Sequence, residues 1–130
     1  MTRALALILM GGALWGAPLQ AERLMPLAET YPAPSTSEQL DRCRGFVGAL
    51  DIIRTILTNN PASGFDASQG VALEWVIPLS KRVSLTSLDA QTWLSRYMDA
   101  FSPLDIPTLI PNTPLYQSDK ASCLRLLSQD

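Results

Sequence analysis

The residues able to do chemistry are few, and the firmest fact about them is an absence: the 130-residue chain contains no histidine. A serine nucleophile activated by histidine is therefore excluded, as are the usual histidine-containing zinc sites. The two cysteines, Cys43 and Cys123, are too few for a four-thiolate site. No glycine loop stands between a strand and a helix to cradle phosphate, because Gly45 and Gly48 fall inside a predicted helix. No metal or cofactor is expected. What survives is acid–base chemistry by carboxylates. Glu74, between Leu73 and Trp75 in an apolar run, is the best candidate for a general acid, with Asp51 beside Ile52 and Ile53 as its partner. The plainer reading is that both face outward, or pair with Arg54 or Lys81. Nothing in the spacing sets two carboxylates across a cleft, so the chain reads as a protein that is not an enzyme.

The elements that must position these residues are mainly helical. Ser35-Thr36-Ser37-Glu38 is a capping-box pattern. After it Leu40, Cys43, Val47, Leu50, Ile53 and Leu57 recur at steps of three and four, with Phe46, Ala49 and Ile56 widening the face. This predicts a well-buried first helix to about Thr58, ended by Asn59-Asn60-Pro61. Gly45, Gly48 and Ala49 give it a flat side, expected to let a second helix approach closely. Pro61 to Gly70 reads as a loop. Val71 to Pro78 is either a strand or a buried helical turn, since periodicity does not decide at that length. A second helix starts near Thr86 or Ser87, with Leu88, Trp93 or Leu94, Tyr97, Met98 and Phe101 as its stripe, and Ser102-Pro103 stops it. Four prolines from Pro103 to Pro114 predict an extended connector. Ser118 then caps a short last helix with Ala121, Leu124 and Leu127 inward. The fold class is an all-α, mainly helical, small single domain with long Pro-rich loops.

The N-terminus supplies a compartment. Arg3 precedes an apolar stretch from Ala4 to about Leu14, followed by Gly16, Ala17, Pro18 and Ala21. That order is a secretory signal peptide over residues 1–21, cleaved after Ala21 or after Ala17. Its apolar run is shorter than the roughly 20 residues a spanning helix needs, so no stable membrane anchor is expected after cleavage. Residues 22–36, with Pro26, Pro32 and Pro34, read as an extended leader, disordered once freed, and residues 37–130 as a helical binding domain. Without Arg3, 9 basic residues stand against 12 acidic ones, a net charge of about −3. Nothing in that balance marks nucleic acid as a partner. In an exported chain an even cysteine count favours a Cys43–Cys123 disulfide joining the first and last helices, with two buried free thiols as the other reading.

Cys43-Arg44-Gly45-Phe46-Val47 resembles the cysteine–x–glycine–aromatic–aliphatic motif of the type VI secretion amidase immunity proteins (the Rap/Tai group). Trp75-Val76-Ile77-Pro78, followed by Val83-Ser84 and Leu88, is similar to that family's aromatic–cysteine–x–proline segment and the helix start after it. Val76 replaces the family's cysteine, which leaves Cys123 as the only available partner for Cys43. The resemblance covers roughly Gln39 to Phe101. It implies a periplasmic helical immunity protein that occludes a peptidoglycan amidase effector by protein–protein interaction, in a family whose members often act as homodimers. The expected partner contacts are Glu74, Trp75, Lys81 and Arg82 with the aromatic pair Trp93 and Tyr97. Trp93 and Tyr97 share a helix face, and aromatic side chains anchor interfaces when exposed; filling the core is the plainer reading of them. The competing reading of function is a structural or accessory subunit, or small chaperone, of an envelope assembly. A small hydrolase using Glu74 is the third.

Overall fold

The computed structural model describes residues 24–59, 72–102 and 110–129. The expected signal peptide, the loop Pro61–Gly70 and residues 103–109 of the proline-rich connector lie outside the described residues. Among the described residues four α-helices follow in chain order: α1 (Thr36–Thr58), α2 (Val76–Ser80), α3 (Leu88–Phe101) and α4 (Pro114–Ser128). Two 3-10 turns, Leu27–Glu29 and Ile110–Asn112, complete the helical elements, and no strand occurs among the described residues.

α1 starts where its capping box predicts. The Glu38 amide donates to Ser35 Oγ at 3.2 Å, and the Ser35 amide donates to Glu38 Oε1 at 2.9 Å. Two orphan donors of the first turn are thereby satisfied. Its apolar face forms the axis of the domain, with Cys43, Phe46, Val47, Ala49 and Leu50 fully buried. Ile56, expected to widen that face, is instead 54% exposed near the helix end. Phe46 is the hub. Its ring lies 4.9 Å from that of Tyr97, 6.1 Å from Trp75, 6.2 Å from Tyr116 and 6.5 Å from Phe101. Rings from α3, α4 and the approach to α2 therefore converge on one side chain. Such tilted pairs add about 0.5–1.5 kcal/mol each beyond their burial.

α3 packs along α1, and the glycines set how closely. A Cβ on Gly45 would fall 2.6 Å from the Leu94 amide nitrogen and 2.8 Å from the Ala90 carbonyl oxygen. These are backbone atoms, so α3 would have to move. A Cβ on Gly48 would meet only Leu85 and Leu94 side-chain carbons, at 2.9 Å. α3 begins at Leu88 behind its N-cap Ser87, whose hydroxyl accepts from the Ala90 amide at 3.0 Å. Leu88, expected in the inward stripe, is 78% exposed, and Ala90 is the residue of that first turn that is buried against α1.

Three other expectations change. The Val71–Pro78 alternative resolves as helical, a turn over residues 72–75 leading into α2. The last helix is longer than expected: Thr113 is its N-cap, accepting from the Tyr116 amide, and Pro114 takes the first turn. Proline there needs no donor and is preset for helical φ. The inward residues become Leu115, Tyr116, Asp119, Ser122, Cys123 and Leu127, while Ala121 and Leu124 face solvent. The described part of the leader is also packed, since Leu27 is buried and its amide donates to Asp119 Oδ1 at 2.7 Å.

Cys43 and Cys123 form the disulfide that ties α1 to α4. Closing so long a loop stabilises the fold by up to about 4.5 kcal/mol on chain-entropy grounds. Thiol labelling of the oxidised, denatured protein is expected to find no free cysteine; two labelled thiols would contradict the bridge. Gly45→Ala is expected to lower stability in urea by on the order of 2 kcal/mol, overpacking outweighing the gain of about 1 kcal/mol in helix propensity. Gly48→Ala, where flexible leucines can give way, is expected to cost markedly less.

Candidate functional site

Two clusters of polar and aromatic side chains stand out, and the expected contact residues divide between them. The first is buried. Arg42, on α1 beside Cys43, forms an ion pair with Asp119 of α4 at 2.9 Å, the two side chains being 4% and 0% exposed. Arg42 Nε donates to the Tyr97 hydroxyl at 2.6 Å, and its Nη2 donates to the Met25 carbonyl. The Tyr97 hydroxyl in turn donates to Asp119 Oδ2. With the Leu27 amide on its other oxygen, Asp119 binds the leader, α1 and α3 to α4. A buried ion pair needs such added hydrogen bonds to offset its desolvation.

The chemistry of this cluster is structural. Tyr97 is fully buried and offers no surface to a partner, contrary to its expected contact role. Its hydroxyl is pushed well above the ordinary tyrosine value, first by burial and next by the adjacent Asp119 carboxylate, with Arg42 opposing. Trp93 is half-buried. The Arg42 guanidinium lies 4.7 Å and the Arg96 guanidinium 4.3 Å from the centre of its ring, so it serves as a platform for cations of its own chain.

The second cluster reaches the surface. Trp75, just before α2, donates from Nε1 to the Tyr116 hydroxyl at 2.8 Å, and that hydroxyl donates to the Ala72 carbonyl at 3.0 Å. Burial raises the Tyr116 pKa, while the Trp75 hydrogen bond works to lower it. Lys120 of α4 sits with Nζ 5.3 Å from the Trp75 ring centre. At the other end of α2, Arg82 Nη2 donates to the Leu127 carbonyl at 3.1 Å, in the last turn of α4, where the helix dipole favours a cation. α2 is thus fastened to α4 at both ends, with Glu74, Lys81 and Arg82 exposed. The carboxylate pair considered for acid–base chemistry is not assembled: Glu74 is exposed, and Asp51 is taken by Arg54 at 2.9 Å.

Arg42, Asp119, Tyr116 and Lys120 were not among the expected site residues. Starting the last helix at Pro114 supplies the missing signal, because Asp119 then lies in the helix interior, four residues before Cys123 on the same inward face, and not in its first turn. Comparison with family models, curated proteins and solved structures returns no significant match to this chain. Within the motif 43–47, Cys43 is bridged, Gly45 lies against α3 and Phe46 is the hub of the core. Those residues are interior ones in this fold. Among the described residues, no helix is long and apolar enough to cross a membrane.

Because the folded-state pKa of Tyr97 lies above its unfolded value near 10, its contribution to stability is complete below that pH and is lost as pH rises through the folded pKa. Tyr97→Phe is expected to flatten the alkaline decline in stability, read by urea unfolding from pH 8 to 11. At neutral pH it should cost about 1–3 kcal/mol for the hydrogen bonds removed. Asp119→Asn, which leaves the Arg42 charge buried without its counterion, is expected to cost about 3–5 kcal/mol.

Proposed function

We propose that this chain is an exported helical binding protein that inhibits a peptidoglycan amidase effector by occlusion, in the manner of the amidase immunity proteins its motifs resemble. One observation carries the reading. α2 is a five-residue helix pinned to α4 through Trp75–Tyr116 and Arg82–Leu127, and it holds Glu74, Lys81 and Arg82 toward solvent. A recognition segment held in place by its scaffold loses little conformational freedom on binding, which conserves affinity. The disulfide supports an oxidising compartment such as the periplasm. The contact surface is the α2 segment with the half-buried Trp75; Tyr97 is left out of it, and Trp93 serves as a support.

The test is an inhibition assay on purified cell walls. The mature, oxidised protein is expected to abolish hydrolysis by an amidase delivered by type VI secretion, at stoichiometric ratio, and to release no wall fragments alone. Lys81→Ala combined with Arg82→Ala is expected to weaken inhibition about tenfold or more, the loss of more than 1 kcal/mol that marks an interface hot spot. Wall hydrolysis by the protein itself, abolished by Glu74→Gln, would replace this reading with the enzymatic one.

A further inference from the structure

Charge is unevenly distributed over the described residues. The leader, α1 and α3 carry the solvent-accessible carboxylates Glu29, Glu38, Asp41, Asp51, Asp89 and Asp99 against the accessible cations Arg44, Arg54 and Arg96, two of which are paired with Asp41 and Asp51. α4 and the segment 74–82 around α2 carry Lys81, Arg82, Lys120 and Arg125 against one exposed carboxylate, Glu74, since Asp119 is buried on Arg42. A chain with a pI near 5.0 thus presents a cationic face.

Three of those cations lie along the α2–α4 face, Lys120 at the Trp75 end of α2 and Lys81 and Arg82 at its other end. Lys120 lies over Trp75, Arg82 is held at the end of α4, and Lys81 adjoins Arg82. Leu124, one turn beyond Lys120, is 39% exposed. Among the described residues, none of the three is in an ion pair. The bonds that hold Arg82 and Lys120 fix their positions without neutralising them, because their partners are a carbonyl and an aromatic ring.

We infer that the α2–α4 face, which carries Lys81, Arg82 and Lys120 together with Trp75 and Leu124, docks an acidic surface of the protein partner, and that this charge match sets the association rate. The inference rests on the binding function proposed above and adds the chemistry of the partner. A protein surface fits better than an anionic bilayer, for which clusters of 4–8 cations are typical. Here there are three cations, two of them held in place, on a face that also carries a tryptophan, a leucine and a carboxylate. Nucleic acid is disfavoured by the acidic balance of the chain. Complementary potentials act mainly on encounter, raising association rates at low salt and losing that effect as salt screens them.

The experiment measures association of the mature, oxidised protein with the amidase it inhibits, by stopped flow from 20 to 500 mM salt. Lys81→Glu with Lys120→Glu is expected to slow association about tenfold or more at low salt and to flatten the salt dependence. Asp99→Asn, on α3, should leave both unchanged. If the double variant fails to fold by circular dichroism, Lys81→Glu alone is read, since that side chain is exposed and has no partner among the described residues. Binding that ignores the charge reversals would overturn this inference and leave the proposed function standing. Failure of the wild-type protein to bind any amidase would overturn both. Retention of the wild type on phosphatidylglycerol vesicles, lost on reversal, would assign the face to lipid and overturn the inference alone.

Discussion

The Asp119 carboxylate is the point through which the domain is held together. It receives the Arg42 guanidinium, the Tyr97 hydroxyl and the Leu27 amide, which come from α1, α3 and the leader. No apolar residue could serve all three, because the Leu27 amide and the Tyr97 hydroxyl would lose their acceptor and the buried Arg42 its counterion. The disulfide lies one residue along α1 and one turn along α4 from this ion pair. One covalent and one ionic fastener therefore join the same two helices at neighbouring levels. With α1 and α4 so joined, α3 can be drawn against Gly45, and Phe46 can collect rings from three directions.

What this leaves for function is a division of labour. The side of the molecule around Arg42 and Tyr97 spends its polar groups on itself. The α2–α4 side uses some of its polar contacts to hold a short helix and leaves charged ends outward. Trp75 and Trp93 illustrate the difference. Both are half-buried tryptophans near cations, yet Trp93 lies against the buried, ion-paired Arg42 as well as the exposed Arg96, whereas Trp75 lies beside Lys120, which has no ion pair among the described residues.

Much of the helical architecture can be read from residue types. α1 is announced by its capping box and an unbroken apolar period, and the two glycines foretell the close α1–α3 approach because nothing else compensates for glycine in a helix. The start of α4 is hidden because Pro114 ends a run of prolines and looks like part of the break, although it occupies the one helical turn that tolerates it. That displacement also conceals Asp119, a polar residue on an inward face, where periodicity looks for apolar ones. The docking of the leader has no local signal, since its anchor is a backbone amide meeting a carboxylate 92 residues away. For Tyr97 and Trp93, spacing puts both on one face of α3, but only packing decides whether that face meets solvent.

The placement of these fasteners has a consequence for the order in which the chain can fold. The Leu27–Asp119 bond, the Arg42–Asp119 pair and the Cys43–Cys123 bridge span 92, 77 and 80 residues. All three need the last helix, so no early fragment can close the core by itself. α1 can form as an isolated helix, but it has nothing durable to hold until the C-terminal residues arrive. Contacts of such sequence separation slow folding, because chain entropy must be lost before they form. A chain of this kind therefore has no closed core to protect it until α4 is present, and its buried donors stay hydrated until then.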